Sequence, residues 1–192
     1  MNDIEKLKGL VLAPYIIKAT TLIGVRRKVG GNQFRHAFAT LAILLDYKMF
    51  SDPILLKASV IHDLFEDCPQ TNEQDIRNID EHSNQVVDLV LEVTKSTKVT
   101  KAEYLKNILE NGTVNAKILK VADRISNLTD LHRDNYPKSK MSRYLNETET
   151  YVLPMAKQVS KDMETELSDL VRTRRVLLSF LRYPGVLGNK QL

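Results

Sequence analysis

The stretch Pro53-Ile54-Leu55-Leu56-Lys57-Ala58-Ser59-Val60-Ile61-His62-Asp63-Leu64-Phe65-Glu66-Asp67 decides how this sequence is read. Ser51-Asp52-Pro53 supplies an N-cap and a proline suited to a first helical turn, so the spacing predicts one helix from about Pro53 to Asp67. Its first half is mainly apolar, and a helix apolar on most sides is buried. At about 100° per residue, His62, Asp63, Glu66 and Asp67 fall within a sector of about 140°. Ionisable groups on a buried helix need partners. A histidine–aspartate pair followed by glutamate–aspartate is hard to bury without a metal ion or a water-filled cavity. The bland alternative is a helix end turning polar at the surface.

A second constellation lies on a long helical segment expected from about Val114 to Arg133. Ile118-Leu119-Lys120-Val121-Ala122-Asp123 places an acid after an apolar run, and Asp123, Asn127 and Asp130 share one face at i, i+4 and i+7. Alone, Asp123 reads as a cap or an ion-pair partner; beside the His-Asp helix it becomes the natural fourth ligand. His36 is the remaining candidate, at the start of a buried helix expected over Phe34–Met49. A lone histidine there is ordinarily a hydrogen-bonded core residue, so ligation needs the whole set.

Outside these segments the signals are also helical. Apolar spacing marks residues 3–13, and Pro14 opens a helix to about Arg26. Gly30-Gly31-Asn32 is the strongest loop signal. Thr71-Asn72-Glu73-Gln74 caps a short helix, residues 83–94 form an amphipathic one, and another covers about 101–110 before Asn111-Gly112. After a loop around Pro137, helices are expected over about Lys140–Ser160 and Lys161–Arg182. Seven glycines and six prolines among 192 residues make about 7%, against an average near 12%. With no strand alternation, the fold class is all-α: one compact multi-helix domain over residues 1–192.

Cys68 is the single cysteine, which excludes an internal disulfide and cysteine-based zinc clusters. No apolar run approaches the roughly 18 residues of a membrane span, and the N-terminus lacks the character of a signal peptide. The expectation is a cytoplasmic protein with no membrane partner. The net charge of +4, with 24 acidic against 28 basic residues, suits an anionic small molecule at least as well as nucleic acid. Arg172-Thr173-Arg174-Arg175 lies among helically spaced leucines and valines, so it reads as the solvated face of a packing helix. His82 and His132 read as surface residues.

Together, Arg27-Lys28-Val29-Gly30, His36, His62-Asp63, Glu66-Asp67 and Asp123 with Asn127 resemble the HD-domain hydrolases of the RelA/SpoT type, and among these the small single-domain alarmone hydrolases. The resemblance runs from about Ile17 to Ala156 and includes Thr94-Lys95, Lys98-Val99, Lys120-Val121-Ala122-Asp123-Arg124, Arg143 and Glu147-Thr148; residues 157–192 are left as a C-terminal packing helix and tail. It implies an HD fold with one buried divalent cation, typically manganese, held by His36, His62, Asp63 and Asp123. It implies that Glu66 and Asp67 position or deprotonate the attacking water. The implied substrate is guanosine tetra- or pentaphosphate, losing pyrophosphate from its ribose 3′ position. Arg27 and Lys28 would pack against the base, Asn127 would contact the nucleoside, and Lys98, with Lys95 or Lys101, would meet the phosphates.

Two departures bear on the substrate. Gly31-Asn32-Gln33-Phe34-Arg35 stands where the family often has Glu-Pro-Tyr, so the base pocket is expected to be reshaped. Thr129-Asp130 stands where the bifunctional relatives carry Arg-Thr. The rival readings are the same site acting on an adenosine alarmone or a dinucleotide phosphate, and a nucleotide-binding regulator without catalysis.

Overall fold

The computed structural model describes residues 3–133 and 137–180. Its α-helices in chain order are α1 (Asp3–Lys8), α2 (Ala13–Ala19), α3 (Gln33–Asp46), α4 (Pro53–Ile61), α5 (Leu64–Asp67), α6 (Glu73–Arg77), α7 (Ser83–Val93), α8 (Lys101–Asn111), α9 (Val114–Asp130), α10 (Lys138–Glu147), α11 (Leu153–Val159) and α12 (Lys161–Phe180). Among the described residues there is no strand, only an isolated antiparallel bridge between Arg26 and Asn32. The all-α expectation holds.

Helix α9 is the axis of the molecule. From Ile118 to Ser126 only Lys120 escapes burial, so neighbours must surround the helix. Helix α3 packs on it from one side, and α11 and α12 from another; α4 packs between α3 and α7. Leu44, Leu56, Ile61 and Leu119, on these helices, are fully buried, each contributing roughly 1.5–3 kcal/mol of transfer free energy.

Local chemistry explains the helix starts. Asn32, Asp52, Asn72, Thr100 and Thr113 accept backbone N–H groups at the starts of α3, α4, α6, α8 and α9. Thr100 and Glu103 form a reciprocal capping box. Gly30 and Gly31 adopt φ +90° and +74°, a region L side chains rarely enter. Between them they turn the chain so that Gln33 N–H reaches the Val25 carbonyl.

Four expected helices differ in detail. The helical spacing over residues 3–13 yields a helix only over Asp3–Lys8. The helix expected over Pro53–Asp67 stops at Ile61; His62 and Asp63 form a turn, with Asp63 at φ −95°, ψ 0°, before the single turn of α5. The helix expected to run from Pro14 to Arg26 leaves α geometry at Ala19, and Thr20–Gly24 form a 3₁₀ turn. The helix expected over Lys140–Ser160 contains a π segment at Thr148–Val152 between α10 and α11. Pro154 follows that segment, lacks an N–H and crowds the preceding turn. The expected end of the last helix at Arg182, and the tail beyond it, lie outside the described residues.

Arg174 is not simply solvated. Its guanidinium donates to the carbonyls of Leu128 (2.8 Å) and Thr129 (2.9 Å), closing the exposed end of α9. Arg175 pairs with Glu149 and Asn146.

Candidate active site

His36 sits one turn into α3 and is 1% exposed. Its Nδ1 lies 2.9 Å from Ser126 Oγ, and its Nε2 lies 3.1 Å from Asp123 Oδ1. His62 occupies the break after α4 and is also buried. Its Nδ1 donates to the Ser59 carbonyl at 2.7 Å, which in the neutral ring leaves the lone pair on Nε2. That Nε2 is buried and has no hydrogen-bond partner, although Asp63 Oδ2 lies 3.3 Å away. The same Asp63 oxygen is 3.6 Å from His36 Nε2. Ligand atoms of His36, His62 and Asp123 lie within 4.8 Å of one another. The turn at His62–Asp63, rather than a continuing helix, sets the aspartate beside both imidazoles.

The electrostatics of this cluster are those of a site short of positive charge. Burial pulls the His62 ring towards neutrality, but Asp63, Asp123 and the Ser59 carbonyl outweigh it and push its pKa up to about 9. Burial likewise opposes ionisation of Asp123, and the Lys120 ammonium with both histidines overcomes it, holding the carboxyl well below the usual range. Lys120 Nζ lies 2.8 Å from Asp123 Oδ2 and 5.3 Å from the centre of the Tyr104 ring. Asp63 is held low by the two histidines, against its burial. Two imidazole nitrogens and two carboxylates, one nitrogen lacking any partner, fit a divalent cation of borderline hardness. A lone core histidine would not leave a buried ring nitrogen without a hydrogen-bond partner.

Glu66 and Asp67 face the same cavity, of about 620 Å³. Glu66 is exposed and accepts the Lys95 backbone N–H at 3.3 Å. Asp67 is half-buried; burial, Asp63 and Glu66 all raise its carboxyl above the ordinary range, opposed by the hydrogen bond from Gln33. Gln33 Nε2 donates to Asp67 Oδ2 at 2.7 Å.

Asn127, Arg27 and Asp130 extend from Asp123 as a relay. Asn127 Nδ2 donates to Asp123 Oδ1, while its Oδ1 accepts from Arg27 Nη2 at 2.8 Å. Arg27 Nη1 lies 3.3 Å from Asp130 Oδ2. Both amide atoms of Asn127 are therefore engaged within the protein, so it ties Arg27 to Asp123. Arg27 and Lys28 line the cavity.

Lys98 is exposed and is not part of the cavity lining; Lys95 and Lys101 are. Lys101 and Arg124 lie against Tyr144, at 4.8 Å and 4.0 Å from its ring centre. Arg124 also donates to Thr148 Oγ1 at 2.7 Å, inside the π segment. His82 and His132 stand apart from the cluster: His82 Nδ1 faces Lys57 at 3.2 Å, and His132 Nδ1 faces the Thr129 carbonyl. Sequence reasoning gave no role to Gln33 or Tyr144, and took Lys120 and Arg124 only as parts of a resemblance. Lys120 was within reach, since i and i+3 neighbours meet on a helix; Gln33 and Tyr144 act across the fold and left no local signal.

No family model matches the chain. It is 30% identical over 161 residues to a probable guanosine-3′,5′-bis(diphosphate) 3′-pyrophosphohydrolase of Mycoplasma genitalium, covering 76% of this chain but 21% of that protein. The similar Mycoplasma pneumoniae protein is 29% identical, with 16% of its length covered. The chain thus spans about a fifth of these curated relatives. Human guanosine-3′,5′-bis(diphosphate) 3′-pyrophosphohydrolase MESH1 is 26% identical over 152 residues, with 76% of this chain and 82% of that protein covered. A solved structure of a metazoan ortholog of SpoT that hydrolyses ppGpp has a TM-score of 0.73, covering 85% of this chain and 94% of that one at 23% identity. That likeness establishes the fold. The family read from the motifs is the one these relatives' names carry.

Proposed function

We propose that this chain, a homologue of the guanosine-3′,5′-bis(diphosphate) 3′-pyrophosphohydrolases, hydrolyses guanosine tetra- or pentaphosphate to GDP or GTP and pyrophosphate. The observation that carries this reading is a buried pair of histidines clustered with two carboxylates, of which His36, Asp63 and Asp123 line a cavity that carries nine lysines and arginines against five acids. A nucleotide bearing two diphosphate groups is the chemistry such a wall accommodates.

His36, His62, Asp63 and Asp123 would hold a divalent cation, for which we propose manganese. When bound, such an ion acidifies water and withdraws charge from phosphoryl oxygen. Asp67, whose carboxyl is raised above the ordinary range, is suited to accept the proton of the attacking water. Glu66, on the same cavity wall, would orient that water. Arg27 offers a flat guanidinium to the purine, with Lys28 beside it. Lys95, Lys101 and Arg143 line the wall available to the phosphates; Lys98 would have to swing inward to join them. Asn127 would serve the nucleoside by holding Arg27. We further propose that residues 1–192 act as a single cytoplasmic hydrolase domain. No helix among the described residues is long and apolar enough to cross a membrane.

The test is a nucleotide panel with separate detection of phosphate and pyrophosphate. Manganese-loaded protein should release pyrophosphate from guanosine tetraphosphate. Strict chelation, or His62→Ala, should lower turnover by at least about a hundredfold. Full turnover under chelation would overturn the reading, as would preferential cleavage of an adenosine alarmone.

A further inference from the structure

The segment Gly31-Asn32-Gln33-Phe34-Arg35 was expected to reshape the base pocket. Its one cavity-lining member, Gln33, turns to a catalytic candidate on another helix: Nε2 lies 2.7 Å from Asp67 Oδ2, across 34 residues of chain. The backbone of Gln33 is fixed independently of that contact. It is the first residue of α3, directly after the Asn32 cap, and its N–H is bonded to the Val25 carbonyl at 2.9 Å.

The amide's orientation is equally defined. With Nε2 on the carboxylate, Oε1 is buried without a hydrogen-bond partner. Flipping the amide would set its oxygen against Asp67, which is repulsive, so the orphaned carbonyl accompanies the useful orientation. A buried polar atom without a partner calls for an explanation, and a catalytic role is one. Asp67 needs such a hold. It ends a single-turn helix, its neighbours Asp63 and Glu66 repel it, and carboxylate rotation about χ2 is soft. A neutral amide fixes the group without the strong loss of basicity that a lysine or arginine would impose.

We propose that Gln33 is a positioning residue: it holds one oxygen of Asp67 and thereby presents the other to the attacking water. This rests on the cavity being the hydrolase site. Steady-state and single-turnover kinetics with guanosine tetraphosphate and manganese test it in the parent, Gln33→Leu, Gln33→Asn, Asp67→Asn and Gln33→Leu/Asp67→Asn proteins.

In both Gln33 variants kcat should fall about tenfold to a hundredfold, with KM changed by less than about threefold and the thermal midpoint unchanged. Asn is too short to span the gap, so it should behave like Leu; if Leu perturbs folding, Asn supplies the measurement. In the Asp67→Asn background, Gln33→Leu should cost nothing further, because the residue acts through Asp67. A parental kcat in both Gln33 variants, or an equal loss with and without Asp67, overturns the proposal while the hydrolase reading stands. Absence of turnover in the parent protein overturns both.

Discussion

Arg27 is the residue whose position is most fully specified without a ligand. One guanidinium nitrogen is held by Asp130 and the other by Asn127, and Asn127 is itself held by Asp123. Arg133 also approaches Asp130, at 3.6 Å. Asp130 and Arg133 do not line the cavity, so replacement of Asp130 should reach it through Arg27. Asp130→Asn should raise KM for the nucleotide about threefold to tenfold with kcat little changed, as expected when binding shared by ground and transition states is weakened. Initial-rate measurements against substrate concentration decide this, and an unchanged KM would show that Arg27 needs no clamp. His62, Asp63 and Asp123 were legible in the sequence because each sits in an apolar context where an ionisable group demands a reason. Gln33 and Tyr144 were not, since an amide or a phenol at a half-polar position is unremarkable until its distant partner is known.

Helix α4 shows the limits of periodicity at the scale of an element. The apolar run and the capping by Asp52 were legible, but the break at Ile61 was not, because His62 and Asp63 are compatible with a helix interior. The same helix buries Lys57, whose ammonium lies 2.9 Å from Asp80 Oδ2. Asp80 also accepts the Tyr15 hydroxyl at 3.0 Å and the His82 backbone N–H at 2.9 Å. The network therefore joins α2, α4 and the turn before α7. Burial raises the Asp80 carboxyl, but the hydrogen bonds from Lys57, His82 and Tyr15 prevail and hold it below the usual carboxylate range. A carboxyl lowered on folding adds stability above its unfolded pKa of about 3.9; that stability is lost as pH falls through the folded value. Asp80→Asn should cost up to about 3 kcal/mol near neutral pH, since it leaves the Lys57 charge buried without its counter-ion. The difference between parent and variant should shrink as pH drops below about 4. Urea unfolding from pH 3 to 7 measures both, and parallel curves would remove Asp80 from the acid response.

For the molecule as a whole, the cluster of His36, His62, Asp63 and Asp123 ties α3, the α4–α5 turn and α9 at one point. A cation bound there links three elements of the core and must stabilise the folded chain. At a hundred times its dissociation constant, manganese should add about 2.7 kcal/mol, raising the thermal midpoint by roughly 5–10 °C for a chain of this size. Calorimetry with manganese and with chelator should show the shift in the parent and none in His62→Ala. An equal shift in the variant would place binding elsewhere. The all-α class was readable from composition and periodicity, which sum over many residues. The convergence of cations from three helices and two loops on one cavity was not, because each lysine or arginine alone looks like an ordinary surface charge.

The π segment between α10 and α11 has a consequence for that cavity wall. Its i→i+5 hydrogen bonds take more residues per turn than the α-helices on either side, so the faces of α10 and α11 are out of step with a straight rod. Tyr144 and Glu147 line the cavity before it, while Met155 and Ala156 enter the core after it. Loss of a single residue from Thr148–Val152 would restore an uninterrupted ladder and rotate everything upstream by about 100° about the helix axis. Tyr144 would then leave Lys101 and Arg124, with no side chain in the cavity having been altered. The shape of this wall is thus a matter of residue count as much as residue identity, and an alignment gap of one at this place would mark a different pocket.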